Sequence, residues 1–187
     1  MKIEIKNENE IYVDDVKYIK EIEKNNKKTD DVIQFSNLDW FIISQDEESY
    51  TLILKNRMTP EMIQKHFTQQ GMVDSDYDVR YSFTNNNDWK ESYIRLVLNT
   101  SFIYDLDRDK MLKMNDDYVR LITKEEVENM NDRIRKVNEQ YGYWTMTPYS
   151  GDSSDVWGVY ADGSVSYWSA GIAYGVRPVI KIKRGNL

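Results

Sequence analysis

"DVWGVYADGSVSYWSAGIAYGVRPVI" (155–180) is composed unlike the rest of this chain. It holds two Trp, three Tyr and four Gly, with only two acids and one base. Asp162-Gly163 is its strongest local signal, because a hairpin turn needs positive φ and Asp-Gly supplies it readily. A two-residue type I′ turn there predicts that Trp157 faces Trp168, Gly158 faces Tyr167 and Tyr160 faces Val165. Strand faces alternate, so Trp157, Val159 and Trp168 would share one side. Val156, Tyr160, Val165 and Tyr167 would share the other. Aromatics on both sides fit either a sheet covered on both faces or a sheet with one core face and one ligand-facing side. After the hairpin, 175–180 reads as a buried strand. Arg177 within it needs carbonyl or carboxylate partners, which makes it a structural tie.

Working outward, the chain alternates strands and helices in blocks. "KIEIK" (2–6) alternates like a half-exposed strand, and "EIYVDDVKYIKEI" reads as a hairpin turning at Asp14-Asp15. "EKNNKKTDD" (23–31) reads as a polar linker. "DWFIISQDEESYTLILK" (39–55) is a hairpin with a charged turn. Thr59, Pro60 and Glu61 open a helix as cap, first position and dipole partner. Residues 69–87 read as irregular. Asp88 and Glu91 have capping-box spacing for a second helix, with Trp89, Tyr93 and Val97 on one face. Thr123 and Glu126 open a third, "TKEEVENMNDRIRKVNEQ", with Val127, Met130, Ile134 and Val137 facing the core. Strands, then helices, then strands predict an α+β fold with antiparallel sheets and two to three helices. Trp40, Trp89 and Trp144 each open an apolar element and are assigned to the core.

The bulk numbers restrict function. At 187 residues, with 40% hydrophobic and 13% aromatic content, the chain suits one domain, or one domain with a small appendage. Zero Cys removes disulfides, thiolate nucleophiles and Cys-based zinc sites together. No apolar run approaches the ~20 residues needed to cross a bilayer. Acids stand where a signal peptide needs apolar residues, so a cytoplasmic or virion-associated protein is expected, with no membrane partner. A net charge of −7 argues against direct nucleic-acid binding. That acidity serves solubility, or it imitates phosphate toward a basic partner.

Catalytic and metal motifs are weak. His66 is the sole histidine and sits on a helix face, which favours a half-buried structural role over a catalytic base. There is no G-x-S-x-G elbow, Walker loop or G-x-G-x-x-G. Asp74, Asp76 and Asp78 have calcium-loop spacing, but Val79 and Asn85 occupy the positions that need Gly and Glu. Asp105, Asp107 and Asp109 fail likewise at Lys110. No metal, no cofactor and no enzyme activity are expected.

Several ordered motifs carry a resemblance. They are W-x-x-T-P (144–148), apolar-x-x-D-G (159–163), G-V-R-P-V-I (175–180), "WKESYIRLVLNTSFI" and "VRLITKEEV". Over roughly 35–183 the chain resembles a group of uncharacterised bacterial and phage proteins with a C-terminal G-V-R-P strand. The resemblance implies a C-type-lectin-like fold, related to formylglycine-generating enzymes and retroelement variable proteins. It divides the chain into an N-terminal β extension and linker (1–34) and a lectin-like domain (35–187). It places the ligand surface in 149–155 and 167–174, which makes Tyr149, Asp152, Asp155, Tyr167, Trp168 and Tyr174 the expected partner-binding residues. The enzyme branch depends on cysteines, which this chain lacks, so its activity is not implied. The expected function is a non-catalytic recognition module of phage or mobile-element origin that binds a protein, or a glycan, through this aromatic surface. The alternative is a small acidic phage inhibitor of a host defence nuclease.

Overall fold

The structure is a computed structural model that describes residues 3–7, 10–13, 16–19, 32–67, 79–80, 86–138 and 140–186. The turn at Asp14-Asp15, the linker 23–31 and the cluster Asp74–Asp76–Asp78 lie outside the described residues. The fold is α+β with antiparallel sheets.

β1 (Ile3–Asn7), β2 (Glu10–Val13) and β3 (Val16–Ile19) form a three-stranded antiparallel sheet. The main sheet is built from β4 (Val32–Phe35), β5 (Leu38–Gln45) and β6 (Ser49–Leu54). Residues 32–34, which the sequence assigned to the N-terminal extension, therefore belong to this sheet. The β4–β5 turn is Ser36–Asn37, with φ of 53° and 61°, the left-handed pair that a type I′ turn uses. At the β5–β6 turn, Asp46 accepts from the backbone of Glu48 and Ser49 and from the Ser49 hydroxyl.

α1 (Pro60–Phe67) starts as expected, with Thr59 Oγ1 accepting from Met62 N at 3.3 Å. β7 (Val79–Arg80) follows, inside the stretch read as irregular. The second helix differs from expectation. Asp88 caps only a 3-10 turn at Trp89–Glu91, and Ser92 caps α2 (Tyr93–Thr100). Glu91 turns away to accept from Asn86 instead of closing a capping box.

β8 (Met111–Leu112) and β9 (Val119–Arg120) come next, followed by α3 (Lys124–Glu128) and α4 (Asp132–Arg135). The Thr123–Glu126 capping box forms as read. The long third helix is two short ones, giving four α-helices among the described residues where two to three were expected. Its interruption has a local cause. Asn129 ends α3, and the Asn131 side chain accepts from Arg133 N to cap α4.

The last strands are β10 (Tyr143–Pro148), β11 (Asp155–Val159), β12 (Val165–Ser169), β13 (Ala173–Tyr174) and β14 (Val179–Lys183). β14 runs antiparallel beside β6 and takes β8 and β9 on its other edge. Both faces of the main sheet are covered, which explains the near-continuous apolar runs in its strands. Trp40, Leu52, Leu54, Ile180 and Ile182 pack toward α1 and α2. Phe41, Ile53 and Val179 pack toward Val127, Met130, Ile134 and Val137. Trp40, Trp89 and Trp144 are all buried.

Arg177 ties the two clusters together. Its guanidinium is fully buried and donates to Leu54 O (2.7 Å), Ile134 O (2.7 Å) and Lys55 O (2.9 Å). It also lies 5.0 Å from the Tyr143 ring centroid.

Candidate functional site

The β11–β12 hairpin sets the site, and its register differs from the sequence reading. Gly163 has φ +88°, whereas Asp162 is not in the left-handed region. Tyr160 N donates to Ser164 O, and Gly163 N to Tyr160 O. This is a three-residue loop with glycine at the left-handed position, not a two-residue type I′ turn. The Ser164 hydroxyl and backbone N–H donate to Asp162, fixing the loop and holding its carboxyl below the usual range. Val159 therefore pairs with Val165, Trp157 with Tyr167, and Val156 with Trp168.

A one-residue slip moves side chains to the opposite face. Trp157 and Tyr167 share one face with Val159 and Val165, while Trp168 lies on the other. The expected grouping of Trp157 with Trp168 is thus overturned. Gly158 makes the second face possible. A Cβ there would stand 2.6 Å from Trp168 Cζ3, so the indole lies directly on the glycine.

On the first face, Tyr149, Trp157 and Tyr167 form a compact aromatic shelf. The Tyr149 and Tyr167 rings are stacked with centroids 3.7 Å apart and planes 5° from parallel. Trp157 meets both edge-on, at 5.4 and 5.5 Å. Face-to-face stacking is not the arrangement that ring quadrupoles prefer, so neighbouring contacts must hold it. Two do so. Trp157 props both rings. Gly151 lies so close to Tyr149 that a Cβ would come within 2.6 Å of Cε1. Tyr167 beside it, with Asp155 nearby, pushes the Tyr149 phenol up. Tyr167 is 41% exposed, and Tyr149 and Trp157 are half-buried. Lys124 Nζ sits 4.8 Å from the Trp157 ring while paired with Glu128.

The loop carrying Tyr149 is pinned from a distance. Asn87 Nδ2 lies 3.1, 3.0 and 2.9 Å from the carbonyls of Tyr149, Asp152 and Asp155. Asn87 N donates to Ser153 O. Asp152 is exposed and closes a tight turn. It accepts from Ser154 N and Oγ, which holds its carboxyl below the ordinary range.

Of the expected contact residues, the structure brings Tyr149, Asp152, Asp155 and Tyr167 together. Trp168 and Tyr174 are elsewhere. Tyr174 is buried, meets Trp144 edge-on (5.2 Å), tilts against Trp168 (4.9 Å), and donates to Val159 O at 3.3 Å. Its assignment to the exposed surface is therefore corrected. Burying a Tyr is inexpensive when its hydroxyl finds a carbonyl. Trp168 is half-buried, between Tyr174 and the exposed Tyr160. A cleft of about 460 Å³ opens beside this second group, between 140–142 and 160–164. Sequence reasoning missed Trp157, Lys124 and Asn87. The correct hairpin register would have found Trp157. No local signal marks Asn87, which acts on carbonyls 62 to 68 positions away.

A second constellation joins Ser101, His66 and Asp105. His66 Nδ1 lies 2.8 Å from Ser101 Oγ, and Nε2 lies 2.9 Å from Asp105 Oδ2. The composition is that of a hydrolase triad, but the surroundings are structural. The His66 side chain is 2% exposed, its ring meets Phe102 edge-on, and Asp105 is shared with Lys65. The group ties α1 to residues 101–105. Asp107 pairs with Lys110. Among the described residues, no group of three acids or histidines is arranged to hold a metal ion. No described helix is long and apolar enough to cross a membrane.

A family model described as "Domain of unknown function (DUF6273)" matches residues 113–184. The match covers less than half of the chain and contains the shelf. No curated protein and no solved structure matches the chain.

Proposed function

We propose that this protein is a non-catalytic recognition module with a C-type-lectin-like fold, of phage or mobile-element origin. It binds a protein partner through the Tyr149–Trp157–Tyr167 shelf, in the host cytoplasm or on the virion. One observation carries the reading. Three aromatic rings stand partly exposed together, two on β11 and β12 and one on a loop that Asn87 clamps by its backbone. Preorganised Tyr and Trp lose little side-chain entropy on binding, and such residues dominate interface energies. The lectin-like part is supported by the ordered motifs and by the return of β14 to the β5–β6 hairpin, with the separate β10–β11–β12 sheet between them in sequence.

The test is affinity capture from a bacterial lysate, followed by titration of the captured protein. Tyr167→Ala should weaken binding at least tenfold, the loss expected for an aromatic hot spot, without changing the melting temperature by more than a few degrees. Tyr104→Ala removes a ring that is 80% exposed elsewhere and should leave affinity intact. Equal loss in both variants would overturn the proposal. Binding that vanishes with salt and with reversal of surface acids would favour the acidic-decoy alternative.

A further inference from the structure

The Tyr149–Tyr167 stack has a chemical consequence that does not depend on what the shelf binds. Two phenol rings held parallel within van der Waals distance are unusual on a surface, because nothing in the hydrophobic effect requires that orientation. Here they are 3.7 Å apart and 5° from parallel, and both are reachable from solvent. A tyrosyl radical formed by one-electron oxidation normally has to diffuse to a second one. At this site the second phenol is already in place, which makes coupling unimolecular. Trp157 touches both rings edge-on and brings a third oxidisable group to the same place.

We propose that Tyr149 and Tyr167 are a built-in cross-linking site, joined as dityrosine by a haem peroxidase acting with hydrogen peroxide. Each phenol gives up one electron and its hydroxyl proton. The two phenoxyl radicals couple through a new carbon–carbon bond between ring positions ortho to oxygen. The hydrogen on each coupled carbon then returns to a phenol oxygen through solvent, restoring both aromatic rings. The chain loses two hydrogens in total, and one peroxide is reduced to two waters. The bond would span β11 and fasten the 149–155 loop to β12, replacing a stacked pair with one rigid biphenol.

The experiment treats the full chain with a haem peroxidase and hydrogen peroxide over a range of protein concentrations. The readouts are dityrosine fluorescence, intact mass and peptide mapping. The expected product is a monomer lighter by two hydrogens, with 149 and 167 linked, in a yield independent of protein concentration. Y149F and Y167F keep the ring and the fold, as far-UV circular dichroism and the melting temperature would verify, and each should abolish the linked monomer. The chain has 14 tyrosines, and Tyr104 is 80% exposed, so exposure alone predicts a different outcome. Concentration-dependent dimers joined through Tyr104, without a 149–167 link, would overturn the proposal. So would an internal link that survives in Y167F.

Discussion

Replacing Arg177 with Met tests how the two halves of the core are joined. Met fills much of the same volume and removes a charge from the interior, so a simple view of buried charge predicts little change or even a gain. The surroundings predict a loss. Removing the guanidinium leaves the carbonyls of Leu54 and Ile134 without that donor in a buried setting, at a cost of about 1–3 kcal/mol each. Lys55 O is only partly buried and can recover water, so it adds less. Loss of the contact with the Tyr143 ring adds about 1 kcal/mol. The expected destabilisation is about 4 kcal/mol, a large share of the ~5–15 kcal/mol that a domain has. Urea unfolding followed by tryptophan fluorescence measures it. Arg177→Lys keeps the charge but not the fork, and should fall between Met and wild type. A Met variant within about 1 kcal/mol of wild type would refute the reasoning.

Two further outcomes are expected. Gly163→Ala forces a side chain into φ +88° and should cost about 1–2 kcal/mol in urea unfolding, with Gly163→Asn losing less. Equal stability of the Ala variant would mean that the turn is of another type. His66 can be titrated by NMR as the single histidine. Burial lowers its pKa, and although Asp105 opposes this, the net direction is below the ordinary 6.5. The unfolded chain therefore takes up a proton before the folded one. The stability from His66 is full above pH 6.5 and declines as pH falls below it. A measured pKa above 6.5 would show that Asp105 outweighs burial.

What the sequence made legible was mostly local. The hairpin of β5 and β6 followed from β-branched and aromatic runs around a charged turn. Thr59 and Thr123 marked helix starts by side-chain chemistry that acts within three residues. Arg177 was readable because an arginine in an apolar strand has few physical options. The misses also have causes. Ser36–Asn37 makes a left-handed turn without glycine, so no dipeptide signal announced β4. The α3–α4 break turns on Asn129 and Asn131, which compete with the helix backbone inside an otherwise unbroken apolar period. Asp162-Gly163 correctly marked a hairpin, but two-residue and three-residue turns both accept it. They differ in loop length, and so in register, and in whether Asp162 joins Gly163 at positive φ.

That difference in register decided the composition of the site. The two-residue reading joined Trp168 to Trp157, whereas the real register puts Trp157 beside Tyr167 and seats Trp168 on Gly158. The remaining parts come from far along the chain. Asn87, which fixes the loop, lies outside the matched segment 113–184. So does β6, the long hydrogen-bonded partner of β14, and so do Leu54 and Lys55, which accept from Arg177. The matched segment therefore contains every ring of the shelf but not Asn87, which pins the loop carrying Tyr149. Cut out alone, it would expose one edge of β14 and leave the Arg177 guanidinium without two of its acceptors. The shelf is thus a tertiary property that joins the rings of the matched segment to Asn87, and the strand after it depends on β6 and on the carbonyls that accept from Arg177.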